Sequence, residues 1–350
     1  MTTNALRMDK PVEHSLLDTG VQGIIGKGIE RVDGPLKVAG QATYSAEYDF
    51  PDLAYGFLVR APFAAGTITA IDAEGAKALP GVVDVVVDLK TFIRNPQQGG
   101  ETQAPTQGVK DVAYFGEPVA IVVAESFEVA RDAAQLVSIR YEPTRGVYTF
   151  DDHVDDAVKP PPGSMPPYHE QGDIDRAMAE AAFAVDDIWR TPSQNSAAME
   201  PHASIAVWDD DGLTLYGSLQ MPSSDRQQLA KALGERQSKV RIVARYIGGG
   251  FGNKQDVLYE PLNAFLSLQV GGRPVKLELT REETFADTRV RHAIRFHMQG
   301  AVRPDGTLVA RRVEAFSNQG GYASHGHAIV ANASNMIKQL YRDEKALESE

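Results

Sequence analysis

Alternating and continuous apolar runs mark a series of strands through the first 145 residues, with short capped stretches between them that read as helices. Residues 55–60, 66–72, 82–87, 112–114, 119–124 and 138–142 carry the strand pattern. Val119–Ala124 is apolar throughout and 82–87 nearly so, which predicts buried strands. Asp72 and Ser126 stand where N-caps belong, ahead of helices over 72–79 and 127–137. Strands and helices mix without strict alternation, so the fold class is α+β.

Two polar stretches interrupt this pattern. Residues 92–111 predict a loop. The acidic run from 151 leads into the proline cluster 160–167, which predicts an extended, semi-rigid linker. A domain boundary belongs there: an arm over 1–25, a first domain over 26–150, the linker over 151–172, a second domain over 173–341 and a tail over 342–350. The second domain predicts a helix over 174–182 and strands over 184–190, 203–208 and 213–220, the last two joined by an Asp209–Gly212 hairpin turn. A helix over 225–233, capped by Ser223 or Ser224, and a strand over 239–247 follow. Beyond them come a helix over 256–268 with an early Pro261, a strand over 274–279 and a helix over 281–287. A second hairpin pairs 294–302 with 308–316 around Arg303–Thr307.

Between the 239–247 strand and the next helix, Gly248, Gly249, Gly250 and Gly252 surround Phe251. Glycine loses the most backbone entropy on ordering, so such a run is tolerated where the chain needs unusual φ/ψ or a very close approach. Strand, glycine loop and helix start together offer backbone N–H groups to an anionic ligand; a tight turn in a globular domain is the competing reading. No Gly-Lys-Ser/Thr follows, and the spacing does not fit a dinucleotide-binding fingerprint.

Charge and composition narrow the ligand. The net charge of −12 is spread along the chain, which argues against nucleic acid or an anionic membrane as partner. Any phosphate-bearing ligand must therefore be held by a local site. The 350 residues contain no cysteine, which excludes disulfides, cysteine nucleophiles, zinc–thiolate sites and iron–sulfur clusters in this chain. No apolar run is long enough to span a membrane, and residues 1–11 lack an apolar signal core.

Several motifs then converge. The stretches 32–40, 42–44, Arg60-Ala-Pro62 and Leu79-Pro-Gly-Val82 resemble the hammerhead domain of the xanthine dehydrogenase/aldehyde oxidase family. Met199-Glu-Pro-His202, Ser218-Leu-Gln-Met-Pro222 and Tyr246-Ile-Gly-Gly-Gly-Phe-Gly252 resemble its molybdopterin-binding domain. The resemblance runs from about residue 26 to 341 and implies a hammerhead followed by the first part of a molybdopterin-binding α+β domain. It also implies a molybdenum hydroxylase acting on an aldehyde or N-heterocycle. In that family electrons leave through iron–sulfur clusters and FAD, here expected on partner subunits because this chain has no cysteine.

By the same resemblance, Gly249, Gly250, Phe251 and Gly252 line the molybdopterin, whose form is either plain or the cytosine dinucleotide. N–H groups around Phe251 and Gly252 face the molybdenum oxo ligand, and the Gln220 amide hydrogen-bonds that group. Gln255 and Asn332 fall in the substrate pocket, at positions where purine-oxidising members carry a glutamate and an arginine. Both differences point away from xanthine. The family's catalytic glutamate has no counterpart in the matched stretch, so no catalytic residue is assigned. Residues 342–350 do not resemble the family, and a truncated or frame-shifted product, inactive by itself, is expected. The alternative is a non-catalytic hammerhead module. A cytoplasmic location is expected, or a periplasmic one by export with a partner.

The other polar candidates read as structural. His325 and His327 lack a third ligand nearby in sequence. Glu200 and His202 read as a turn ahead of the 203–208 strand rather than an acid–base pair. Arg281, Glu282, Glu283, Arg289 and Arg291 read as a solvated helix face and its salt-bridge partners.

Overall fold

The computed structural model describes residue 23 and residues 25–87, 110–159, 168–321 and 325–340. The predicted 92–111 loop (apart from its last two positions), the 160–167 proline cluster, His327's side chain and the 342–350 tail lie outside the described residues. The chain forms two compact units, Met1–Thr43 and Tyr44–Glu350. In the first, the Asp33-Gly34-Pro35 turn signal opens a short helix, α1 (Gly34–Val38), with proline in its first turn.

The second unit contains every strand among the described residues. In order it runs β1 (Ala54–Arg60), β2 (Gly66–Asp72), α2 (Glu74–Lys77), β3 (Val82–Val86), β4 (Asp111–Val112), β5 (Pro118–Ala124), α3 (Phe127–Ala134) and β6 (Ser138–Pro143). Next come α4 (Ile174–Ala179), β7 (Phe183–Thr191), β8 (Gln194–Asn195), β9 (Ala203–Asp209), β10 (Gly212–Gly217), α5 (Pro222–Leu233) and β11 (Val240–Val243). It ends with α6 (Glu260–Gln269), β12 (Val275–Glu278), α7 (Arg281–Asp287), β13 (Val290–Arg291), β14 (Ile294–Val302), β15 (Leu308–Ser317) and α8 (Gly326–Leu340).

Local chemistry explains most of these boundaries. Ser126 caps α3 by accepting from the Val129 N–H at 3.2 Å. Thr280 and Glu283 form a reciprocal capping box at α7. Asp209 Oδ1 accepts from the Asp211 and Gly212 N–H groups at 2.9 and 3.2 Å, closing the β9–β10 hairpin. Some expectations need correction. Asp72 accepts from the Glu74 N–H, but Ala73 occupies the cap position of α2. Ser223 and Ser224 lie inside the first turn of α5, because Pro222 begins it. The predicted 82–87 strand is half-exposed except at Val85, since β3 is the last strand of its sheet.

That sheet has seven strands in the order β11-β10-β9-β12-β1-β5-β3. Strands from both sides of the 151–172 stretch therefore share one sheet, joined where β1 runs parallel to β12, with Ala54 opposite Val275 and Gly56 opposite Leu277. All seven residues of β5 are buried, as its continuous apolar run requires. On one face, Ala130 and Ala133 of α3 pack with Val59, Ala120 and Val122. Another core joins Ala54, Leu58, Ile121 and Val123 to Leu258, Leu262, Leu266, Leu277 and Leu279. Each of those leucines contributes about 1.5–3 kcal/mol by burial. A fragment ending near residue 165 would lose all of them but Leu58, so it should show no cooperative thermal transition by circular dichroism. A sharp transition in that fragment would argue for a hammerhead that folds alone.

Candidate functional site

The glycine loop leaves the sheet earlier than the sequence pattern suggested. Pairing of β11 with β10 ends at Val243, and 244–247 run as irregular chain into Gly248. The helix expected from 256 begins at Glu260, with Pro261 in its first turn. The connection is thus longer than expected, and side chains from several other segments hold it.

Each glycine has its own reason. A Cβ on Gly248 would collide with the Cβ of Glu200, and one on Gly250 would collide with the Gln220 carboxamide. Gly249 and Gly252 sit at φ +107° and +92°. Between them Phe251 adopts φ +56° although it has a side chain, and its ring is 76% exposed. A bulky residue in the left-handed region, turned outward at a loop tip, is a costly arrangement of the sort that concentrates at functional sites.

Gln220 anchors the far side of the loop. Its Oε1 accepts from the N–H groups of Gly252 and Lys254, both at 3.1 Å, and its own N–H donates to the Lys254 carbonyl at 2.8 Å. Two backbone donors on one oxygen fix the carboxamide's orientation. Its NH2 group then has no protein acceptor among the described residues. The Gly252 N–H is committed to Gln220, so it is not the open donor the resemblance implied. Among the described residues, the N–H groups of Gly249, Gly250 and Phe251 meet no protein acceptor.

Glu200 holds the near side. Its Oε2 accepts from the Gly248 N–H at 2.7 Å, the Ser218 hydroxyl at 2.8 Å and Lys254 Nζ at 3.3 Å. Oε1 accepts from the Ser45 N–H at 3.4 Å. Lys254 is only 1% exposed, and its Nζ also donates to the Glu200 carbonyl at 2.8 Å. Burial pushes the Lys254 ammonium's pKa down, while the Glu200 carboxylate opposes that shift. Sequence reasoning missed this pair, because lysine is rarely buried and nothing marks Lys254 as an exception. The chain bends at Met199 and Glu200 ahead of β9, where the sequence predicts a turn. His202 is buried, with Nε2 3.3 Å from the Asn253 carbonyl oxygen. Burial first, then the Lys254 charge, hold its pKa down to about 4, so it is neutral near pH 7.

The residues beyond the loop are also more buried than expected. Asp256 takes a 2.5 Å bond from Arg289 Nη1 and a 2.9 Å bond from Gln228, with His325 Nε2 at 3.3 Å. Arg281 donates to the carbonyls of Ala198 and Met199, both at 2.8 Å, which fixes the turn carrying Glu200. Glu283 is buried. The expectation of a solvated helix face is therefore corrected for Glu283 and Arg289, while Arg281 is exposed and Arg289 is the salt-bridge partner of Asp256. Gln255 is exposed beside Lys254, and Asn332 is exposed on α8. Among the described residues, no group of histidine and carboxylate side chains has metal-binding geometry.

Comparison with known proteins agrees with these motifs. Residues 39–145 match the aldehyde oxidase and xanthine dehydrogenase a/b hammerhead domain. Residues 158–346, more than half the chain, match the molybdopterin cofactor-binding domain. The chain belongs to the xanthine dehydrogenase and aldehyde oxidase family. It is 37% identical over 314 residues to the aldehyde oxidoreductase molybdenum-binding subunit of Escherichia coli O157:H7, covering 89% of this chain and 42% of that one. It is 31% identical over 317 residues to the nicotinate dehydrogenase large molybdopterin subunit of Eubacterium barkeri, covering 89% of this chain and 74% of that one. The crystal structure of quinoline 2-oxidoreductase from Pseudomonas putida 86 superposes with a TM-score of 0.74 at 25% identity, over 85% of this chain and 40% of that one. The chain thus spans about 42% of the first of these relatives but about three quarters of the second.

Proposed function

We infer that the chain is the cofactor-binding part of a molybdenum hydroxylase, with Gln220 and the 248–254 loop forming one wall of the molybdopterin site. The observation that carries this reading is the donor set. The Gln220 amide and the N–H groups of Gly249, Gly250 and Phe251 meet no protein acceptor among the described residues, within one braced loop. Preorganised donors of this kind suit an oxo group or an anionic oxygen. Backbone amides also hold phosphate without a basic patch, as a chain of net charge −12 requires. The loop is also open at Gly252, where an added Cβ would meet no protein atom within 4 Å.

When bound, the cofactor supplies oxidative hydroxylation of an electron-poor carbon, with water as the oxygen source. This chain's residues hold and orient it. Glu200 and Gln220 fix the loop, and Phe251 presents an apolar ring at its tip. With Gln255 and Asn332 in place of a glutamate and an arginine, the substrate is an aldehyde or an N-heterocycle rather than xanthine. Electrons pass to iron–sulfur and FAD groups on partner subunits, and the cofactor is molybdopterin or its cytosine dinucleotide. The shared seven-stranded sheet favours this reading over a hammerhead acting alone.

The test is to express the chain with its iron–sulfur and flavin partners in a molybdenum-replete host and assay the purified complex. Molybdenum by mass spectrometry and released pterin by fluorescence should be present together. A Gln220→Ala complex should retain at most about a tenth of the pterin, the effect expected from one lost hydrogen bond of roughly 1.5 kcal/mol. A wild-type complex free of pterin would overturn the reading.

A further inference from the structure

Lys254 sits where three constraints on the loop meet. Its N–H and carbonyl are both bonded to Gln220, at 3.1 and 2.8 Å. Its ammonium reaches back to the carbonyl and carboxylate of Glu200, at 2.8 and 3.3 Å. Glu200 in turn accepts from the Gly248 N–H, and its own N–H donates to the Gly248 carbonyl at 3.3 Å. Both ends of the 248–254 loop are therefore tied to the same carboxylate. The strained residue, Phe251, lies between the ties. Gln220 and the Asn253 side chain, which donates to Thr288 Oγ1 at 3.0 Å and accepts from the Arg289 N–H at 3.1 Å, hold the part after Phe251, whereas the Glu200 carboxylate is bonded on both sides of that costly left-handed residue. The Asn253 N–H bond to the Gly250 carbonyl, at 2.9 Å, closes only the turn itself.

We propose that the buried Lys254–Glu200 pair is a positioning brace that holds the Phe251 turn in its left-handed form and keeps the Gln220 amide pointed at the ligand. Lys254 and Glu200 are positioning residues here: they act through Gly248, Gln220 and Phe251. The proposal deepens the cofactor reading above and rests on it for the ligand, although the brace itself is a property of the protein alone.

A buried ion pair also has a plain structural effect, and the two roles separate experimentally. Removing one partner leaves an uncompensated buried charge and is strongly destabilising, whereas replacing both with neutral groups can be nearly neutral. Lys254→Met and Glu200→Gln should each lower the melting temperature. A carboxylate presents two acceptor oxygens where an amide presents one, so E200Q must release either the Gly248 side or Ser45. The E200Q/K254M double variant should recover most of the melting temperature. Its loop should nevertheless stay loose, because no ammonium spans from Lys254's position to the 200 carbonyl.

The experiment is amide hydrogen exchange by mass spectrometry on peptides spanning 246–255, beside a thermal melt, on the full chain of wild type, both single variants and the double variant. The expected result is exchange at least tenfold faster over 246–255 in the double variant, with a melting temperature close to wild type and with β5 peptides unchanged. Recovery of loop protection together with melting temperature would overturn the proposal and leave the pair a purely structural one. Unchanged loop protection in both single variants would overturn it as well. Pterin content of the assembled complex supplies the second readout: it should fall at least tenfold in the double variant. Hydrogen exchange needs no cofactor, so a wild-type complex without pterin would sink the cofactor reading while leaving the brace standing or falling on exchange alone.

Discussion

Gly248→Ala should destabilise the chain by roughly 2–3 kcal/mol, whereas Gly250→Ala should cost only about 1 kcal/mol and abolish cofactor retention. The two glycines lie two residues apart but face different neighbours. A Cβ on Gly248 meets Glu200's Cβ, with its backbone N and Cα at 3.2 and 3.4 Å. Those atoms belong to a turn pinned by Arg281 and cannot step aside. A Cβ on Gly250 meets only the end of the Gln220 side chain. That carboxamide can swing away at the cost of its bonds to Gly252 and Lys254, which removes the oriented amide. Differential scanning calorimetry should show G248A melting roughly 5–10 °C below wild type. G250A should melt within a few degrees of wild type, and its purified complex should lack pterin. A G250A complex with full pterin would exclude Gln220 from the cofactor wall.

The second large effect is a pH dependence centred on Asp225. This carboxyl is fully buried in the first turn of α5, with Oδ2 accepting from the Met221 N–H at 3.2 Å and Oδ1 without a protein partner among the described residues. Burial, and then the charge of Glu260, push its pKa up to about 8. Burial pushes Glu260 up to about 7. A carboxyl with a raised folded-state pKa contributes its full stability only below its unfolded value near pH 4, and loses it as pH climbs through the folded value. His202 behaves oppositely. Its folded pKa is depressed to about 4, so its contribution is complete above about pH 6.5 and is lost as pH falls towards 4. The opposing slopes overlap below pH 7, and Asp225 dominates from pH 7 to 8. Urea unfolding should therefore show wild-type stability falling by about 1 kcal/mol over that unit, the slope of one proton. Asp225→Asn should flatten the profile and be more stable than wild type at pH 8. A D225N chain less stable than wild type at pH 8 would show that the native carboxyl is ionised and paired.

The sequence reveals what depends on local chemistry. The capped helix over 281–287 and the hairpin around Arg303–Thr307 are read to within about a residue, because a capping box and a Pro-Asp-Gly turn act on their own neighbours. The presence of the glycine loop is legible too, because its composition has few other uses, although its flanking strand ends at Val243 and the following helix begins only at Glu260. What is hidden depends on distant partners. Lys254, Glu200 and Arg289 look like surface charges until the fold buries them. The end of β11 at Val243 is set by the loop's need to reach Glu200 and Gln220, which no window of residues 239–247 contains. The pairing of β1 with β12 lies in neither strand's pattern, since a parallel pair can form between any two apolar strands of matching length.

That pairing has a temporal consequence. β12 begins at residue 275, about 220 residues after β1 begins at 54. Translation at about 5–20 residues per second leaves the β12-facing edge of β1 without its neighbour for roughly 10–45 s. Until Leu262 and Leu266 are made, Ala54, Leu58, Ile121 and Val123 lack the helix that covers them. The nascent first half therefore presents an open sheet edge beside an apolar face, the condition under which strands pair with the wrong chain. Yield in a cell should depend on chaperone supply during synthesis more than on the stability of the finished fold.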